Sequence, residues 1–197
     1  MASSEHMRRR YIGGSVPWDH TDPPPEVLEF VPTLPQGRAL DLGCGYGRAS
    51  IFLARLGWQV DGVDFVPEAI AEAKKRAAAA GVTVNFHAGD VTRLDFLTPG
   101  YTFALDVGCA HNLQPAELTA YAAEVRRLLA PGGYYMLTAR IEPKKSPAEP
   151  GPRGTTEAAL RAAFAEGFTL EWVKRGIDRP HGNAQWASGW FRFRRTT

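Results

Sequence analysis

The stretch Asp41-Leu42-Gly43-Cys44-Gly45-Tyr46-Gly47 decides how this chain is read. Its three alternating glycines follow a short apolar run, residues 38–42, that reads as a buried strand. They precede a helix-like segment, residues 49–56, that stops at Gly57. A chain that must turn tightly here, and let a ligand come close without a Cβ in the way, needs glycine. This is how a glycine-rich loop cradles a nucleotide cofactor. A dinucleotide fingerprint would read GxGxxG, with a helix-packing glycine in the last place. This chain reads GxGxG, and Arg48 stands where that glycine belongs. Asp41, ahead of the first glycine, would repel a pyrophosphate but suits an ammonium group or a ribose. The loop therefore speaks against a nicotinamide dinucleotide and for an adenosyl amino acid.

Outward from the loop, strand and helix alternate. Residues 59–63 form a second strand ending at Asp64. Residues 67–80, opened by Pro67 and closed by Gly81, carry start and stop signals of a helix. Residues 82–87 alternate as a third strand, and residues 101–107 make a fourth. The spacing predicts a helix over 115–130, with Leu118, Tyr121, Ala122, Val125, Leu128 and Leu129 on one face. Pro131-Gly132-Gly133 ends it, and residues 133–139 form a fifth strand. Residues 141–154, dense in Pro, Gly and Lys, read as a lid or as a solvated loop. A helix over 155–165, with a threonine to cap it, precedes two further strands, 168–174 and 185–194. Such alternation predicts a parallel sheet covered on both faces, with ligands bound outside the carboxyl ends of its strands.

Acids stand at several of those ends. Asp64 can accept hydrogen bonds from both ribose hydroxyls or cap the helix that follows, and Phe65 can pack on an adenine. After the third strand, Asp90 in Gly89-Asp90-Val91 can accept from an adenine amino group, with Val91 beside it; alone, the segment reads equally as a turn.

These segments, together with Leu105-Asp106-Val107-Gly108 and Leu129-Ala130-Pro131-Gly132-Gly133, stand in an order that resembles class I S-adenosylmethionine-dependent methyltransferases. The resemblance implies a single-domain, Rossmann-like, doubly wound α/β fold. Its mostly parallel seven-stranded sheet would have an antiparallel C-terminal edge. It further implies that Asp41 and Gly43 lie near the methionine part of the cofactor. Asp64 would take the ribose, Asp90 the adenine, and Asp106 would lie near the sulfonium, with Cys44, Gly45, Gly47 and Val107 also among the cofactor-binding residues. S-adenosylhomocysteine would be the product.

A narrower likeness lies in Val16-Pro17-Trp18-Asp19-His20, followed by Pro23 to Pro25. It looks like the segment of bacterial small-molecule methyltransferases of the thiol, halide, thiopurine and tellurite type that folds over the cofactor. It implies a closing segment, residues 1–36, with Trp18 on the cofactor, ahead of a methyltransferase domain over 37–197. His20-Thr21-Asp22 departs from the usual continuation.

A soft nucleophile such as a thiolate, halide or metalloid needs no general base. An oxygen or nitrogen nucleophile of a natural product can need one, and His111, His20 and Asp19 are the candidates. Trp18, Trp186 and Trp190 are candidates for a pocket wall or for plain core. His87 reads as packing, and His181 as part of a turn.

Composition sets the frame. A length of 197 residues fits one domain. A net charge of +2 gives no electrostatic reason to expect nucleic acid, so a small molecule is the expected partner. No apolar run approaches the roughly 20 residues of a membrane span, and residues 1–10 lack the apolar stretch of a secretory signal. Met1 to Met7 have the look of a cloning remnant as much as of native chain. Two cysteines, Cys44 and Cys109, fit free thiols in a reduced cytoplasm. No metal site is expected. Richness in Ala, Arg and Pro suits a GC-rich bacterium.

Overall fold

The computed structural model describes residues 2–14, 16–146, 151–178 and 185–196. The chain divides into two compact units, Met1–Val91 and Thr92–Thr197. His181, read above as part of a turn, and residues 147–150 of the Pro-rich loop lie outside the described residues.

In the first unit, β1 (Arg38–Leu42), β2 (Gln59–Asp64) and β3 (Asn85–Ala88) run parallel in the order β3-β2-β1. Leu42 lies opposite Val63 and Asp64 opposite Ala88, so the carboxyl ends of all three strands are level. Helices α1 (Ala2–Ile12) and α2 (Pro25–Phe30) precede the sheet, and α3 (Arg48–Arg55) and α4 (Pro67–Ala79) connect its strands. Cys44, Ile51, Ile70, Ala73, Ala77 and Phe86 pack into one buried cluster. Helix α1 was not foreseen. Its sequence, with Arg8-Arg9-Arg10, carries no apolar stripe from which a helix could be read. β3 starts at Asn85, not at Val82, because the Val82 amide still closes the end of α4 on the Ala77 carbonyl at 3.1 Å.

In the second unit the order is β4 (Tyr101–Val107), β5 (Leu129–Arg140), β7 (Trp186–Arg195), β6 (Phe168–Asp178). β4 and β5 are parallel, while β7 is antiparallel to both β5 and β6, as expected for the last two strands. Helix α5 (Pro115–Leu128) buries the predicted face: Leu118, Tyr121, Ala122, Val125 and Leu128. It ends two residues earlier than expected, and Pro131-Gly132-Gly133 falls inside β5. Tyr101 pairs with Leu129 and Phe103 with Tyr134, so the intervening residues bulge out of the ladder around Gly132 at φ +78°. Thr156 caps α6 (Glu157–Ala163), its Oγ accepting from the Ala159 amide at 3.0 Å. Tyr121, Tyr135, Phe164, Phe168 and Phe193 form an aromatic core with ring centroids 4.8–6.4 Å apart.

The stretch after β5 is fastened along its described part. The buried Arg140 guanidinium donates to the carbonyls of Glu142 (2.8 Å) and Pro152 (3.4 Å) and lies over the Trp186 ring. The Thr155 amide returns to the Arg140 carbonyl at 3.1 Å. Among the described residues, no helix is long and apolar enough to cross a membrane.

Candidate active site

The glycine loop in the first unit is shaped by backbone alone. Gly43, Gly45 and Gly47 have φ of 72°, 55° and 80°, a region open essentially to glycine. The amides of Gly43 and Cys44 both donate to the Val63 carbonyl, at 2.8 and 3.0 Å, which ties the loop to the end of β2. Asp64 completes the tie. Its Oδ2 accepts from the Gly45 amide at 3.0 Å and its Oδ1 from the Val66 amide at 2.9 Å. Burial pushes its pKa up, and the two amide donors pull it back. Asp64 thus serves the turn into α4, and each of its oxygens keeps a lone pair for a ligand hydroxyl.

Asp41 is buried and accepts from Ser50 Oγ at 2.6 Å. Arg48 donates to the Asp22 carbonyl at 3.3 Å; burial lowers its pKa, while the charges of Asp41 and Asp19 oppose that shift. Cys44 packs in the apolar cluster with Ile51 and Phe86, and its thiol donates to the Gly45 carbonyl at 3.8 Å. Phe65 is 46% exposed and has a free face. Asp90 is exposed and Val91 buried, and the neighbouring Gly89 amide binds the Asp64 carbonyl at 3.0 Å. His87 hydrogen-bonds Asp61 at 2.9 Å.

The N-terminal segment rests on this loop. Trp18 Nε1 donates to the Tyr11 hydroxyl at 3.1 Å, and the Tyr11 ring meets Trp18 and Tyr46 edge-on. A Cβ built on Gly45 would lie 2.9 Å from the Tyr11 hydroxyl. Burial, then the charge of Asp64, raises the Tyr11 pKa, so the phenol stays neutral. Two ion pairs hold the segment to α4: Arg8 to Glu68 at 2.6 Å, and Arg76 to both carboxylate oxygens of Asp19 at 2.8 and 2.9 Å. Asp19, a candidate base, is therefore engaged as a clamp, and His20 is exposed. Tyr11 escaped the sequence reading. Its only signal was an isolated aromatic in a polar run, seven residues before Trp18.

At the end of β4, in the second unit, Asp106 is fully buried. It accepts from the amides of Cys109 (2.6 Å) and Ala110 (2.9 Å) and from the Tyr121 hydroxyl (2.8 Å), which also pairs with Tyr135 at 2.9 Å. Burial pushes its pKa up to about 6. Its carboxylate thus staples the 3-10 turn Ala110–Asn112, and Val107 beside it is half-buried. His111, on that turn, accepts the Arg140 amide at Nδ1 (2.9 Å). Burial and the Arg140 charge hold its pKa down to about 4. Asn112 bridges the Gly108 carbonyl and the Arg153 amide. Among the described residues, no group of three or more His, Cys, Asp or Glu could hold a metal ion.

Two buried acids, Asp41 and Asp64, flank one glycine loop. That donor set suits an ammonium and a ribose diol and opposes a pyrophosphate, which fits S-adenosylmethionine. Comparison with known proteins agrees. Residues 39–133 match the family model described as "Methyltransferase domain". The chain is 30% identical, over 79% of its length and 69% of the relative's, to the 2-heptyl-1-hydroxyquinolin-4(1H)-one methyltransferase of Mycobacteroides abscessus. A solved structure described as "Conversion of a Disulfide Bond into a Thioacetal Group during Echinomycin Biosynthesis" superposes with TM-score 0.81 at 28% identity, over 98% of this chain and 92% of that one. The 1,6-didemethyltoxoflavin-N1-methyltransferase of Burkholderia thailandensis, solved with its substrate and S-adenosylhomocysteine, superposes with TM-score 0.74 at 26% identity, over 98% and 87%.

The chain belongs to the S-adenosylmethionine-dependent methyltransferases. Its fold is the Rossmann-like, mostly parallel seven-stranded α/β fold with antiparallel C-terminal strands, and its cofactor is S-adenosylmethionine.

Proposed function

We propose that this enzyme methylates a heteroatom of a small, natural-product-type acceptor, with the cofactor held by the first unit. The observation that carries the cofactor assignment is the buried Asp64 carboxylate, fixed by the Gly45 and Val66 amides at the end of β2. In this reading Asp64 takes the ribose hydroxyls, Asp41 and the Gly43–Gly47 backbone the methionine end, and Phe65, Asp90 and Val91 the adenine. Residues 1–36 close over the loop, with Tyr11 and Trp18 as the covering surface. The acceptor class is supported by the heteroaromatic acceptors named for two of the similar enzymes. The sulfur chemistry named for the third keeps a thiol acceptor as a second reading.

When bound, the cofactor supplies a methyl group on a sulfonium, open to in-line displacement. The chain supplies alignment and exclusion of water. Tyr11, neutral and partly buried, offers a hydroxyl beside the loop without adding charge. The Asp106 staple holds the turn that carries Cys109 and His111.

Isothermal titration with S-adenosylmethionine, S-adenosylhomocysteine and NAD tests the cofactor reading. Asp64→Ala should weaken binding of both adenosyl compounds by tenfold or more. Unchanged affinity would remove the ribose assignment, and tight binding of NAD alone would remove the whole reading. A screen following S-adenosylhomocysteine release with thiols, iodide, tellurite, phenols and amines separates the acceptor classes.

A further inference from the structure

The glycine loop of the first unit offers a ligand acceptors and few donors. The amides of Gly43 and Cys44 are spent on the Val63 carbonyl, that of Gly45 on Asp64, and that of Gly47 on the Cys44 carbonyl at 2.9 Å. Asp41 and Asp64 add two buried carboxyl groups. The methionine end of S-adenosylmethionine carries an ammonium, which such a set suits, and a carboxylate, which needs N–H or O–H donors. We propose that Tyr11 is a cofactor-binding residue whose hydroxyl donates its proton to that carboxylate. This rests on the methyltransferase reading above and adds to it the donor that the loop lacks.

The placement follows from contacts within the first unit. Gly45 has no side chain where Tyr11 stands: a Cβ there would lie 2.9 Å from the hydroxyl and 3.9 Å from Cζ. The hydroxyl therefore abuts the loop backbone itself, near enough to Asp64 for that charge to bear on it. Trp18 Nε1 donates to the hydroxyl oxygen at 3.1 Å, so the phenol is an acceptor toward the segment and keeps its own proton to give. Among the described residues no protein acceptor takes that proton. The ring meets Trp18 and Tyr46 edge-on, with centroids 5.9 and 5.1 Å away, and the Tyr46 hydroxyl donates to the Tyr11 carbonyl at 3.4 Å. Ring and hydroxyl are held at the loop only while the segment is docked.

The cations of this unit that lie along the segment face other groups. Arg8 meets Glu68, Arg10 stands over the Trp18 ring, Arg48 donates to the Asp22 carbonyl, and Arg76 binds Asp19 and Glu72. A neutral donor suits the place better than any of them. A cation set against the loop would repel the ammonium and the sulfonium of the same ligand, whereas a phenol serves the carboxylate without adding charge. Burial, then the negative charge of Asp64, keeps the Tyr11 hydroxyl protonated and so keeps it a donor. Docking of residues 8–18 and capture of the amino-acid end thereby become one event: the ligand gains a hydrogen bond only when the segment closes.

The test is calorimetric, on the full chain, with S-adenosylmethionine and its decarboxylated analogue, which share sulfonium, ribose and ammonium. Tyr11→Phe keeps the ring and removes the donor. Trp18→Phe loosens the same segment and leaves the donor in place. Tyr11→Phe should lower the preference for S-adenosylmethionine over the analogue by about tenfold to a hundredfold, the range of a hydrogen bond to a charged group. Trp18→Phe should weaken both ligands alike and leave the preference unchanged. An unchanged preference in Tyr11→Phe, or an equal collapse in both variants, would overturn the proposal. Gly45→Ala reads the contact with no ligand present. Its Cβ would meet the hydroxyl, so tryptic cleavage at Arg8 to Arg10 should rise about fivefold or more. The rise should be much smaller beside Tyr11→Phe, where Cζ at 3.9 Å is an ordinary contact and the backbone strain at φ +55° is the same. Equal rises in both backgrounds would put the hydroxyl away from the loop and also overturn the proposal. Failure of the unmutated chain to bind either adenosyl compound would remove the methyltransferase reading, and this proposal with it, while the Gly45–Tyr11 result stood on its own.

Discussion

Arg76→Ala removes the ion pair that holds Asp19 of the N-terminal segment to α4. The guanidinium makes two hydrogen bonds to Asp19, donates to Glu72 at 3.1 Å, and stands 4.4 Å from the Tyr46 ring centroid. The Asp19 pair is part-exposed, 37% and 27% at the two side chains, so solvent screens it to about 0.5–1 kcal/mol. The contacts with Glu72 and Tyr46 join α4 to itself and to the glycine loop and do not hold the segment. Arg8–Glu68 and Tyr11–Tyr46 remain, so the segment loosens and does not detach. A loss of about 0.5–1 kcal/mol lowers the docked-to-open ratio about 2- to 5-fold. If residues 1–36 cover the bound cofactor, affinity for S-adenosylhomocysteine falls by the same factor. Calorimetry reads the affinity, and the rate of tryptic cleavage at Arg8 to Arg10 reads the opening. Salt should weaken wild-type binding more than binding by the variant, because the Asp19 pair is one that ions screen. Unchanged affinity together with unchanged cleavage would refute the clamp.

Three further outcomes are expected. In Gly62→Ala the added Cβ would lie 2.8 Å from the Phe86 ring and 3.0 Å from Ser50 Oγ, costing about 1–3 kcal/mol; a lower Tm, partly restored by adding Phe86→Leu, checks it. Asp106 has a folded-state pKa of about 6, above its unfolded value near 3.9. Asp106 then binds more protons in the folded state, so its own contribution to stability falls as pH rises from about 4 to about 6, by up to about 3 kcal/mol, and levels off above. His111, held down to about 4, contributes with the opposite sign over the same window, so denaturant titrations should show the Asp106 limb as the difference between wild type and Asp106→Asn. In Tyr121→Phe, losing the donor to Asp106 should cost about 1.5–3 kcal/mol, and an unchanged denaturation midpoint would contradict that bond.

What the sequence shows of this site follows the range of the forces involved. Asp41 to Gly47 and Asp64 are legible because a tight turn and a strand-end acid are local needs, written within a few residues. The C-terminal pairing of β6 and β7 is legible from two strand-like runs in succession. Helix α1 is not, since its place depends on Glu68 and Tyr46, far along the chain, and not on an amphipathic stripe of its own. The same holds for His111. Its residue type suggested a base, but the Arg140 amide that fixes its tautomer is 29 residues away. Asp106 was expected near the sulfonium; its carboxylate meets two amides and a tyrosine hydroxyl, and two of those three donors are set by how the chain turns after β4. At Pro131 the local signal misled, because a stop for the helix was also the start of a bulged strand.

The amide bonds that tie the Gly43–Gly47 loop to the Val63 carbonyl and the Asp64 carboxylate carry a kinetic consequence. They set the shape of the Gly43–Gly47 loop before any ligand arrives, so little of the loop remains to be ordered on binding. If residues 1–36 cover the bound cofactor as proposed, the slow coordinate of the cycle is the opening of that segment, and both capture of cofactor and escape of product share that one gate. Loosening the gate would raise both rates together, and turnover limited by product escape would rise with them even as equilibrium affinity fell.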